Sequence, residues 1–105
     1  MRVLLADDEP KVRSALRLIL EQLNSIDSVD EVVNARDLSD RLHEGRPDLL
    51  LVDWELPGLH PSKVFSEIRS GQPLKVIVLS GRCQIQNAAL ACGADAFVSK
   101  CESPD

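Results

Sequence analysis

The sequence predicts an α/β fold in which a parallel sheet of five strands carries helices on both faces. Three observations predict it. Apolar runs of strand length alternate with stretches whose apolar residues recur every three or four positions. The runs Leu49-Leu50-Leu51-Val52 and Val76-Ile77-Val78-Leu79 are apolar on successive positions, as strands buried on both faces require. The joins between these segments are short and rich in Gly, Pro, Asp and Ser.

Residues 2–6 form the first strand, and Pro10 then stands where a first helical turn tolerates it. Val12, Ala15, Leu16, Ile19, Leu20 and Leu23 follow at offsets of three and four, which makes one apolar helical stripe. Residues 30–33 read as a short second strand. Leu38 with Leu42 marks a second helix that Gly45 and Pro47 close off. The third strand covers 49–53 and ends in a turn at Pro57-Gly58. A third helix runs from about Pro61 to Arg69 with Val64, Phe65 and Ile68 inward, and Ser70-Gly71-Gln72-Pro73 breaks it. The fourth strand is 76–79. Helix four sets Ile85, Ala88, Ala89 and Cys92 on one stripe, stops at Gly93 and leads to strand five at 96–99. Right-handed crossovers then predict the flavodoxin-like, doubly wound order 2-1-3-4-5. Ser103-Pro104-Asp105 has the form of a helix start at the end of the sequence, so a fifth helix is expected to be missing or truncated. The sheet face it would cover should expose apolar side chains.

With 105 residues the chain has room for one domain, 1–105, around a single modest core. The longest apolar run, Leu49 to Val52, cannot span a bilayer, and no signal peptide precedes it, so the expected location is cytoplasmic with no membrane contact. A net charge of −5 without a basic face disfavours direct nucleic-acid binding. Cys83, Cys92 and Cys101 lack the paired spacing of a zinc or redox motif and read as free thiols.

The polar residues that matter stand where strands end. Asp7-Asp8 follows strand one, Asp53 closes strand three, Ser80 strand four, and Lys100 strand five. In an open parallel sheet those ends share one edge, where ligands bind. Asp7, Asp8 and Asp53 would crowd three carboxylates, a conflict that a divalent cation resolves, and Mg²⁺ suits hard oxygen ligands and phosphate chemistry. A neutralised aspartate beside a lysine can attack phosphorus to form an aspartyl phosphate. Singly, each residue has a plainer role: Asp8 and Glu9 as helix caps, Asp53 as a turn cap, Ser80 at a strand end, Lys100 on the surface. Taken jointly, the polar side chains at the ends of four strands, one, three, four and five, favour a site. His43 and His60 read as solvated side chains.

Four stretches together resemble the receiver domain of response regulators in two-component signalling, over essentially the whole chain. They are Val3-Leu4-Leu5-Ala6-Asp7-Asp8-Glu9, Leu50-Leu51-Val52-Asp53-Trp54-Glu55-Leu56-Pro57-Gly58, Val76-Ile77-Val78-Leu79-Ser80-Gly81 and Gly93-Ala94-Asp95-Ala96-Phe97-Val98-Ser99-Lys100. The resemblance implies that Asp53 accepts a phosphoryl group from the phosphohistidine of a sensor histidine kinase or phosphotransfer protein. It implies Mg²⁺ held by Asp8, by Asp7 directly or through water, by Asp53 and by the main-chain carbonyl of Glu55. Ser80 and Lys100 would bind phosphoryl oxygens, and Ser80 moving with rotation of Phe97 would reshape the surface of helix four and strand five, a population shift between two states. The chain would catalyse only its own phosphorylation and dephosphorylation.

Some positions depart from the family pattern. Glu55 can face the phosphoryl group and alter attack by water, Leu56 replaces a frequent Met, and Phe97 lacks a hydroxyl. Cys101 stands where many members have Pro, and a non-proline cis bond costs about 3 kcal/mol, which weighs against the cis peptide that the resemblance implies there. The trailing segment looks like receivers fused to helix-turn-helix transcription factors. That implies a homodimer, transcription regulation as the output, and DNA contact only through an output domain absent from this chain. The alternative is a receiver-like module for interaction or dimerisation that works without phosphorylation. A phosphatase or nucleotide-binding enzyme on a similar sheet is disfavoured, because Asp7-Asp8-Glu9-Pro10 stands where a Gly-rich phosphate loop would.

Overall fold

The computed structural model describes residues 1–71 and 73–100. The elements, in chain order, are β1 (Arg2–Ala6), α1 (Pro10–Glu21), β2 (Ser28–Val32), α2 (Ala35–Gly45), β3 (Leu49–Asp53), α3 (Pro61–Ser70), β4 (Lys75–Ser80), a single 3₁₀ turn at Cys83–Ile85, α4 (Gln86–Cys92) and β5 (Ala96–Ser99). All strand pairs are parallel and the sheet order is β2-β1-β3-β4-β5, the flavodoxin-like arrangement expected.

Side chains alternate across the sheet and divide the core in two. Leu4, Ala6, Leu50, Val52, Val76 and Val78 face α2, α3 and α4, meeting Leu38, Val64, Phe65 and Ala89. Val3, Leu5, Leu51 and Leu79 face the other way, where Leu20 and the half-buried Leu16 of α1 cover them. Burial on both faces explains why β1, β3 and β4 read as continuous apolar runs.

One face therefore has three helices and the other, among the described residues, one. On the α1 face Val98 is 48% exposed, and Ile19 and Leu23 of the predicted stripe are 60% and 49% exposed. Ala15 is exposed as well, so α1 is anchored by Leu20 and Leu16 while part of its apolar stripe meets solvent. The helix start at 103–105 and the peptide bond entering Cys101 lie outside the described residues.

Boundaries shift where local chemistry outweighs pattern. β2 begins at Ser28 rather than Asp30, because it pairs with β1 residue for residue from Arg2↔Ser28 to Ala6↔Val32. At this sheet edge Ser28 and Asp30 remain exposed, which hides the strand from an apolar pattern. α2 starts at an Asn34 cap whose side chain accepts from the Asp37 amide at 2.8 Å. Its left-handed terminal residue is Arg46 (φ 45°), not Gly45; Pro47 disfavours a further right-handed helical residue before it. Ala88 of α4 is exposed, leaving Ile85, Ala89 and Cys92 as the inward set.

Candidate functional site

Parallel register aligns the strand ends. β3 pairs with β4 as far as Asp53↔Leu79, and β4 with β5 as far as Ser80↔Ser99. The Lys100 amide donates to the Ser80 carbonyl at 2.8 Å and fixes the chain one residue beyond β5. Asp7, anchored by its amide on the Val32 carbonyl at 3.1 Å, leaves β1 at the same edge.

Asp7 and Asp53 are 1% and 2% exposed. Oδ1 of Asp7 accepts from the Glu9 amide at 2.8 Å, and Oδ1 of Asp53 from the Glu55 amide at 3.0 Å. The ammonium of Lys100 lies 3.1 Å from Oδ2 of Asp7, 3.3 Å from Oδ2 of Asp53 and 2.6 Å from Oε1 of Glu9. The Lys100 contact at Oδ2 of Asp7 is an ion pair without hydrogen-bond geometry, so this buried oxygen has no hydrogen-bond donor. Asp8 is exposed, and one oxygen each of Asp7, Asp8 and Asp53 lies within 4.8 Å of the others.

Burial raises the Asp53 carboxyl above its ordinary value, against the hydrogen bond from the Glu55 amide; the charge of Asp7 raises it further and Lys100 opposes. Burial would lower the Lys100 ammonium, but its hydrogen bond to Glu9, its close ion pair with Asp7 and the charges of Asp53 and Asp7 hold it well above its usual range. One ammonium thus faces two buried carboxylates and a third at the rim. A buried oxygen with no donor inside a cluster of hard oxygens fits a small divalent cation.

Ser80 is completely buried and points elsewhere: its hydroxyl donates to the Glu55 carboxylate, 3.1 Å from Oε2 and 3.3 Å from Oε1. The Arg82 amide donates back to Ser80 Oγ at 3.0 Å, and Arg82 Nε donates to Oε2 of Glu55 at 3.1 Å. Phe97 is half-buried against the core beneath α2, α3 and α4. His43 and His60 are exposed; Nδ1 of His43 lies 2.8 Å from the Ser39 carbonyl.

The structure thus unites Asp7, Asp8, Asp53 and Lys100 and seats Ser80 beside them, bonded to Glu55. Two participants escaped the sequence reading. Glu9, there only a candidate cap, makes no capping bond and instead holds Lys100. Arg82 lies two residues past Ser80 in a loop where an arginine is ordinarily a surface charge, and only its contact with Glu55 marks it.

A family model described as response regulator receiver domain matches residues 3–105. The chain is 33% identical over 100 residues to protein-glutamate methylesterase/protein-glutamine glutaminase 3 of Paramagnetospirillum magneticum, covering 93% of this chain and 28% of that protein. It is 30% identical over 105 residues to transcriptional regulatory protein ResD of Bacillus subtilis, covering 98% of this chain and 43% of ResD. It is also 32% identical over 105 residues to BvgA of Bordetella pertussis, described as a putative positive transcription regulator of virulence factors, covering 97% and 50%. The chain thus spans half or less of the length of these relatives. Among solved structures, RcsB of Salmonella enterica serovar Typhimurium, bound to promoter rprA with the phosphomimetic BeF3⁻, superposes with a TM-score of 0.83 at 28% identity, over 99% of this chain and 55% of RcsB. The signal receiver domain of a DNA-binding response regulator from Colwellia psychrerythraea 34H shares the fold, with a TM-score of 0.84 at 22% identity, over 99% of this chain and 89% of that one.

Proposed function

Because this chain belongs to the response regulator receiver domain family of two-component signalling, we propose that residues 1–105 form a single receiver domain that is phosphorylated on Asp53. One Asp53 oxygen attacks the phosphorus of a phosphohistidine on a histidine kinase or phosphotransfer protein. The new P–O bond replaces the P–N bond, whose electron pair stays on the imidazole nitrogen. Asp7, Asp8, Asp53 and the Glu55 main-chain carbonyl would hold Mg²⁺, which supplies charge neutralisation for the incoming phosphoryl group when bound. Lys100 holds Asp53 from one side and the Glu55 amide from the other, so the carboxylate is oriented before reaction. Ser80 and Lys100 then receive phosphoryl oxygens, and Ser80 with Phe97 carries the change to the surface of α4 and β5.

The observation that carries this reading is the buried Asp53 carboxylate shared between a lysine and an aspartate cluster with an orphan oxygen. Catalysis in this proposal is confined to the chain's own phosphorylation and dephosphorylation, in the cytoplasm. Output, such as transcription through a DNA-binding module, belongs to sequence outside these residues. Intact mass after incubation with Mg²⁺ and a small phosphodonor, run beside Asp53→Asn, tests it. One phosphoryl group gained by the native chain alone supports Asp53 as acceptor. No gain by a folded native chain contradicts it.

A second reading has its own observation. The exposed Ile19, Leu23 and Val98 on the α1 side favour a module that dimerises without phosphorylation. Light scattering separates the readings: a concentration-dependent mass that ignores Mg²⁺ and phosphodonor supports the second.

A further inference from the structure

We infer that Glu55 is a positioning residue that latches the Ser80 hydroxyl before phosphorylation, with Arg82 as the second anchor of the latch. The inference rests on the receiver reading and adds what holds the switch residue in its resting place.

A serine hydroxyl has one proton to give. In this structure that proton goes to the Glu55 carboxylate, while the Arg82 amide occupies an Oγ lone pair, so the buried hydroxyl is oriented from both sides. The carboxylate is itself pinned. Arg82 Nε donates to its Oε2, and the Glu55 amide donates to Oδ1 of Asp53. The latch is therefore built on the same turn that orients the acceptor.

Glu55 offers Ser80 what a phosphoryl group would offer, an anionic oxygen acceptor. The two cannot be satisfied together, because the hydroxyl proton makes one strong bond and because carboxylate and phosphoryl oxygens repel. Engagement of Ser80 by the phosphoryl group thus exchanges one anionic acceptor for another. The strength of the Glu55 bond then sets how far a given occupancy at Asp53 shifts the population of the switched state.

The test uses beryllofluoride with Mg²⁺ as a noncovalent phosphoryl mimic, read by the emission of Trp54, the single tryptophan and the neighbour of Asp53. Native chain, Glu55→Ala, Ser80→Ala and the double variant are titrated in parallel. The latch predicts that Glu55→Ala tightens beryllofluoride between about threefold and tenfold when Ser80 is present, the range for a partly exposed hydrogen bond to a charge. In the Ser80→Ala background the same change has little effect. Equal tightening in both backgrounds means that Glu55 acts by its charge alone and overturns the latch. A second readout needs no phosphoryl mimic: the Arg82 amide resonance reports Ser80 Oγ and should move in Glu55→Ala more than in Glu55→Gln, which keeps an acceptor. An unmoved resonance overturns the latch. A native chain that binds no beryllofluoride overturns the receiver reading and the latch with it, whereas binding with additive substitutions removes the latch alone.

Discussion

Replacing Lys100 by Met keeps most of the aliphatic side chain and removes the ammonium that touches both buried aspartates. The Asp7 and Asp53 oxygens lie within 4.8 Å of each other. At an effective dielectric constant of about 20, two such charges interact by roughly 3 to 4 kcal/mol. Removing one partner of a buried ion pair costs about 3 to 5 kcal/mol. The Lys100 side chain is 15% exposed, so solvent screens part of that cost. The expected loss without metal is therefore about 2 to 3 kcal/mol at neutral pH, or a fall in Tm of roughly 10 to 20 °C for a domain of this size. Mg²⁺ should restore much of it, since a ligand at about a hundred times its Kd adds about 2.7 kcal/mol. Urea unfolding followed by circular dichroism, in chelator and in Mg²⁺, measures both quantities. The loss should shrink in an Asp53→Asn background, where one of the two charges is gone. A Lys100→Met protein as stable as the native chain in chelator would refute the electrostatic account of the site.

Other consequences are independent of that one. Glu31 is held below its ordinary carboxyl range by hydrogen bonds from Arg17 and Arg13, against its burial. Its stabilisation is present above the unfolded value of 4.5 and is lost as pH falls through the folded value. Glu31→Gln should thus cost about 1 kcal/mol at pH 7 and nearly nothing at strongly acid pH, by urea midpoints. Gly93 has φ 117°, and a Cβ there would meet the Arg69 guanidinium, which bonds the Cys92 carbonyl at the end of α4. Gly93→Ala should lower stability by about 1 to 2 kcal/mol, and an unchanged urea midpoint would contradict the strain. Mg²⁺ alone should change Trp54 emission, and Asp8→Ala should weaken that titration about tenfold or more; equal affinity would remove Asp8 from the ligand set.

Much of this was legible because burial leaves a strong imprint. Leu50 and Val78 on one face with Leu51 and Leu79 on the other read as a two-sided core, and Asp53 and Ser80 fall at strand ends as placed. Less legible were elements that depend on partners. The edge strand β2 carries Ser28 and Asp30 toward solvent and is defined by its ladder with β1. The apolar stripe of α1 overstated its burial, since burial depends on what lies against a helix as well as on period. At the site, Glu9 and Arg82 had no pattern to mark them. Their roles come from contacts across 91 residues to Lys100 and 27 residues to Glu55.

By itself the amino-acid sequence determined the layer architecture, the strand order and the candidate site, because periodicity selects element type and parallel crossovers bring strand ends to one edge. Only the tertiary structure decided which bonds those residues make. It left one Asp7 oxygen without a donor, set Lys100 between three carboxylates, and turned Ser80 toward Glu55 rather than Asp53. The reason is physical. A hydrogen bond is decided by distances within about 3.2 Å, and those distances arise when remote strand ends and loops are packed together.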